Sequence, residues 1–98
     1  MSINLKEVFD QYESEFLNFD RVPEDRKLSN RLDLCAFLLL DQLVPGTRDI
    51  VSAAEHDVIY LETDVEKLAE VATLDDVLTL ARCGVMWNDE IECLEMFV

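Results

Sequence analysis

Two glycines and two prolines among ninety-eight residues leave this chain few places to bend freely. Such sparse punctuation predicts regular elements joined by short connections, and the capping signals say where those elements begin. Asn4 is a good N-cap, with Glu7 at the capping-box position and Ile3 and Val8 set for a hydrophobic staple. Leu5, Val8, Phe9, Tyr12, Phe16 and Phe19 then recur at helical spacing, so residues 5–19 are expected to form an amphipathic helix. Pro23 suits the first turn of a second helix, which starts at about Pro23 or Ser29 and ends at Leu43. Leucines and Cys35 occupy almost every side of it, which predicts the central buried helix. Val44-Pro45-Gly46-Thr47 ends it as a turn, and Asp49 is placed to cap a short helical stretch from Ile50 to Glu55.

The second half mixes both periods. Val58-Ile59-Tyr60-Leu61 is β-branched and aromatic, hence a strand. Thr63 with Glu66 and Thr73 with Asp76 are two more capping boxes, opening helices to about Ala72 and from Leu74 to Cys83. Gly84 stands where a C′ glycine belongs. Val85-Met86-Trp87 and Glu92 to Val98 form two strands of a hairpin across Asn88-Asp89-Glu90. There is no internal repeat, linker or low-complexity segment. Residues 1–98 are therefore expected to form one domain of the α+β class, with helices packed on one face of a small antiparallel sheet of about three strands.

Charge narrows the function. Twenty-two acidic residues against eight basic ones give a net charge of −14. The excess is uneven: residues 49–98 hold thirteen acids and two bases, whereas residues 21–48 hold four acids and five bases. Solubility in a small domain needs a net charge of only about 2–8, so the surplus invites a functional explanation. Direct binding of nucleic acid or an anionic membrane through such a surface is electrostatically opposed, and a basic partner is favoured. No apolar run approaches the roughly 20 residues of a membrane span. Nor do Asn4, Lys6 and Glu7 resemble an export signal, so a cytoplasmic location is expected.

Catalytic chemistry finds little support. Cys35, Cys83 and Cys93 are odd in number and sit in separate apolar segments, which predicts three free thiols in a reduced compartment. His56 is the only histidine, flanked by Glu55 and Asp57; a surface or loop-anchoring role suits it better than metal ligation. Gly46 and Gly84 stand alone, so no glycine-rich phosphate loop exists. Asp75-Asp76 and Asp89-Glu90 are explained by capping and a solvated turn. No enzyme activity, cofactor or metal is expected.

Three acidic groups remain as candidate partner-binding residues. Glu7, Asp10 and Glu13 lie along one face of the first helix, rising about 4.5 Å per step. Glu62, Asp64, Glu66 and Glu70 surround the start of the third helix, and Asp89, Glu90, Glu92 and Glu95 crowd the terminal hairpin. A solvated surface with charged gatekeepers at strand edges accounts for part of this pattern. Trp87, beside the acidic turn, is either a core residue or an aromatic anchor at the rim of a charged patch.

The stretch from Leu43 to Asp57, with Ala81-Arg82-Cys83-Gly84-Val85 and the ending Leu94-Glu95-Met96-Phe97-Val98, resembles small acidic proteins encoded by bacteriophages and prophages. The resemblance covers roughly residues 32–98 and carries no catalytic motif. In size and charge the chain is similar to anti-CRISPR and anti-restriction inhibitors, many of which mimic DNA. It implies an inhibitor whose carboxylates stand in for phosphates on the basic surface of a host CRISPR–Cas complex or restriction enzyme, as monomer or homodimer. The alternative is a structural or regulatory interaction module, homodimeric in one form, that pairs through an exposed C-terminal edge strand, Leu94 to Val98.

Overall fold

The computed structural model describes residues 3–46, 49–55 and 57–97. His56 and Thr47 lie outside the described residues. Four α-helices pack on one face of a four-stranded antiparallel sheet, so the α+β expectation holds with one strand more than anticipated. The helices are α1 (Leu5–Gln11), α2 (Leu32–Leu43), α3 (Val65–Val71) and α4 (Leu74–Arg82). The strands are β1 (Val51–Glu55), β2 (Val58–Leu61), β3 (Val85–Asn88) and β4 (Cys93–Phe97), in the spatial order β1-β2-β4-β3.

Strand register decides which face is covered. Val85 pairs with Met96 and Ile59 with Met96, while Trp87 and Leu61 both pair with Leu94. These side chains share one face, where Leu61, Val85, Leu94 and Met96 are buried beneath the helices. Val58, Tyr60, Met86, Asn88, Cys93 and Glu95 alternate onto the other face and remain half-exposed. Leu40 of α2, Leu68 of α3 and Val77 and Leu80 of α4 complete one core cluster. Burying a leucine or valine of this kind contributes roughly 1.5–3 kcal/mol each before entropy is subtracted.

Several boundaries differ from expectation, each for a tertiary reason. The stretch 50–55 is not helical: Val51–Glu55 pairs with β2 as a strand, with an irregular register between Val51 and Ala53. Ala53-Ala54-Glu55 prefers helix, but hydrogen bonding to the β-branched neighbour overrides a weak local preference. The added strand moves the sheet edge. β4 lies between β2 and β3, so the C-terminal strand is not an edge; β1 and β3 are.

The first helix stops at Gln11 rather than Phe19 and continues as two 3-10 turns, Glu13–Glu15 and Phe19–Arg21. Leu17 between them has a left-handed φ of 65°, and its N–H donates to the Ala81 carbonyl of α4 at 3.1 Å. Glu15 fastens the same segment by accepting from Arg82 Nη2 at 2.6 Å and Arg21 Nη1 at 2.7 Å. Helix α2 starts at Leu32, after a 3-10 turn at Glu24–Arg26, and is not buried all round: Leu32, Leu34 and Leu38 are exposed. Asp64, not Thr63, caps α3, accepting from the N–H groups of Glu66 and Lys67. At α4 the Thr73–Asp76 capping box forms as expected, and Gly84 closes the helix with φ +94°.

Candidate functional site

The three acidic groups reach the surface by different routes. On α1, Glu7 and Asp10 are exposed three residues apart, within side-chain reach on one helix face. Glu13 no longer continues that helical row, because α1 has ended; it heads the first 3-10 turn. Asp10 and Glu13 nevertheless line one groove.

Around α3, Glu62, Asp64, Glu66 and Glu70 are all exposed. Asp64 is committed to its capping bonds, so its charge also compensates the positive end of the helix. In the hairpin, Asn88 Oδ1 accepts from the N–H groups of Glu90 at 2.9 Å and Ile91 at 3.2 Å. That side-chain turn, with Glu92 at φ 50°, holds Asp89, Glu90 and Glu92 out in solvent. Glu95 departs from the group. It alternates onto the uncovered sheet face, where it pairs in register with Tyr60 and Met86 and accepts from Asn88 Nδ2 at 3.2 Å.

Trp87 links the remaining groups. It packs partly buried against the core and lines two grooves, one on each side. The first also contains Lys6 and Glu66, and Lys6 Nζ lies 3.7 Å from Asp89 Oδ2. The second contains Asp10 and Glu13. The tryptophan is thus both core and rim: its ring closes the sheet's helical face while bordering carboxylates from α1 and α3. Its indole N–H is buried without a hydrogen-bond partner among the described residues.

Asp89 apart, charge compensation lies outside these groups among the described residues. Among the described residues only Glu15, Glu24, Asp76 and Asp89 enter ion pairs, and these engage five of the bases. The Arg82 guanidinium, through its hydrogen bonds, holds the Glu15 carboxyl below its ordinary value. Asp76 accepts from Arg26 Nη2 at 2.7 Å and from the Thr73 N–H at 2.9 Å, so it builds the fold. Of the acids proposed from sequence, Asp89 alone has a cation partner among the described residues.

Among the described residues no group of three or more His, Cys, Asp or Glu side chains converges to hold a metal. Cys35 and Cys83, from separate segments of the sequence, are both buried in one core cluster. Burial and Cys35 push the Cys83 thiol far up, so it is a poor nucleophile. Burial likewise raises Cys93, aided by nearby Glu95. On the uncovered sheet face Tyr60 is raised by desolvation and by Glu55, to which its hydroxyl donates at 3.3 Å.

Sequence reasoning missed two participants. Lys6, a single base in an acidic helix, carries no site signal in the sequence. Tyr12 falls on the apolar side of the expected longer helix, and the end of α1 at Gln11 is what places it in the groove. No protein-family model, curated protein sequence or solved structure matches this chain.

Proposed function

We propose that this protein is a non-enzymatic inhibitor whose acidic surface occupies a basic, nucleic-acid-binding face of another protein or nucleoprotein complex. The observation that carries the reading is the sorting of charge. Its cations are largely spent inside the molecule, while acids on α1, α3 and the hairpin stay exposed and, Asp89 apart, without cation partners among the described residues. A surface built this way keeps its repulsion until something basic covers it. Carboxylates can then substitute for phosphates, whose charges recur about every 1.7 Å along duplex DNA. Long-range attraction speeds encounter, and half-buried Trp87 supplies an aromatic contact that slows release. In the specific form suggested by the phage resemblance, the target is a host CRISPR–Cas complex or restriction enzyme in the bacterial cytoplasm, and the inhibitor acts as a DNA mimic.

The test is capture from bacterial lysate on immobilised protein, followed by challenge with duplex DNA and with salt. Retained partners should bind nucleic acid and be displaced by both, because counterion release and screening dominate such contacts. Retention through both challenges would remove the mimicry reading.

A second reading has its own observation. Strand β1 is an open sheet edge with Val51, Ala53 and Ala54 exposed, which suits strand addition by a second copy or another chain. Light scattering after gel filtration decides it: a dimer that dissociates on Ala53→Pro supports the interaction module, and a monomer at all concentrations removes the homodimer.

A further inference from the structure

Between the end of α1 and strand β3 lies a groove of about 400 Å³. Its floor includes buried Phe9, its walls include half-buried Tyr12, Met86 and Trp87, and Asp10 and Glu13 stand exposed at its rim. Neither rim carboxylate has an ion-pair partner among the described residues. Helix α1 ends beside the groove with no basic residue in its last turn, which adds the negative end of its dipole. Aromatic walls under a carboxylate rim select a particular ligand. A hydrocarbon side chain would leave the carboxylates unmatched. An ammonium would satisfy them, but it is compact and strongly hydrated. A guanidinium is planar and weakly hydrated, stacks on aromatic faces, and donates two parallel hydrogen bonds to a carboxylate.

We propose that this groove receives an arginine side chain of the partner protein, stacked against Trp87 or Tyr12 while Asp10 and Glu13 accept its N–H groups. The volume falls within the roughly 300–1,000 Å³ range of small-molecule ligand pockets, ample for one guanidinium-bearing side chain. The assignment rests on the reading above that the acidic surface meets a basic partner. It adds that recognition is by guanidinium rather than by charge alone.

Trp87 is the only tryptophan, so its emission reports this groove directly. Trp87→Ala would disturb the core, so exposed Asp10→Asn with Glu13→Gln is the informative variant, with a melting curve to confirm folding. The probes are hexa-arginine, hexalysine and hexacitrulline peptides, titrated at low salt. Hexa-arginine should shift the emission and bind roughly tenfold tighter than hexalysine, as stacking and bidentate contacts are added to equal charge. Hexacitrulline should not bind. The Asp10/Glu13 variant should lose the arginine preference, whereas Glu66→Gln with Glu70→Gln should weaken both cationic peptides alike. Equal binding of the two cations with Trp87 unmoved, or a preference that survives the Asp10/Glu13 variant, overturns the arginine site and leaves the acidic-surface reading standing. If neither cation binds, both fall. Emission that changes with protein concentration alone would place a second copy in the groove and also overturn the assignment.

Discussion

Replacing Asp76 with alanine tests whether the acids of this protein divide into those that build the fold and those that only face solvent. The Asp76 side chain is 13% exposed and ties two elements: it closes the capping box of α4 by accepting from the Thr73 N–H, and it pairs with Arg26 of the 3-10 turn at Glu24–Arg26. Loss of a capping residue costs about 0.5–2 kcal/mol. The ion pair adds less than about 1 kcal/mol, because Arg26, with a side chain 36% exposed, can rehydrate. A total of about 0.5–3 kcal/mol corresponds to a fall in Tm of roughly 2–24 °C for a domain of this size. Asp76→Asn keeps an acceptor for the Thr73 N–H and should lose about half as much. Glu66→Gln and Glu70→Gln should leave Tm unchanged or raise it, since each removes one uncompensated charge from a molecule of net −14. Circular dichroism melts at pH 7 compare all four variants. If Asp76→Ala melts no lower than Glu70→Gln, the sorting of acids into two roles is wrong.

Three further outcomes follow from the geometry. Alkylation of native protein should label half-exposed Cys93 first, and Cys35 and Cys83 only on unfolding, read by mass spectrometry; because the folded Cys83 thiol is raised, its contribution to stability is complete below about pH 9 and fades above it. Glu15, whose carboxyl is lowered from 4.5, stabilises the fold above that value and loses the contribution as pH falls below it, so the Tm gap between wild type and Glu15→Gln should narrow from pH 5 towards about 3. Gly84→Ala should cost about 1–2 kcal/mol through its φ of +94°; the new methyl group would meet Leu17 Cδ2 at 2.8 Å, but that exposed side chain can swing away, and a loss above about 4 kcal/mol in urea unfolding would contradict this.

Local chemistry made much of the fold legible. Thr73 and Asp76 satisfy each other within one turn, and Gly84 supplies a conformation that few other residues adopt, so no distant contact was needed to place them. The β-branched run Val58-Ile59 likewise marks its strand. What escaped was decided at long range. Phe16 and Phe19 keep helical spacing, yet Leu17 bonds to Ala81 and Glu15 grips Arg82, and those contacts bend the chain out of the helix. Ala53 and Ala54 become strand only because β2 offers an edge. The site divides in the same way. Exposure of Glu66, Glu70 and Glu90 was readable from residue type, but the grooves that Trp87 shares with Asp10, Glu13 and Glu66 depend on how α1 and α3 dock beside β3. Glu95 was misgrouped because strand alternation, not sequence proximity, chose its face.

A control for the central claim needs charged residues that hold nothing in the fold. Arg26 and Lys27 lie in the near-neutral middle segment, yet Arg26 holds Asp76 and the Lys27 ammonium sits 4.8 Å from the Phe19 ring centroid, so reversing them would damage the fold. Asp25 and Asp41 are exposed, outside the proposed contact set, and give an equal change of charge. The most direct measurement is therefore the association rate with the captured partner for Glu66→Lys with Glu90→Lys against Asp25→Lys with Asp41→Lys. Rates are taken at two salt concentrations and checked by melting curves. The acidic-face account predicts that the first pair slows association roughly tenfold and flattens its salt dependence, while the second changes it less than about threefold. Equal slowing by both pairs would mean that net charge alone matters, and no slowing by either would contradict electrostatic recognition altogether.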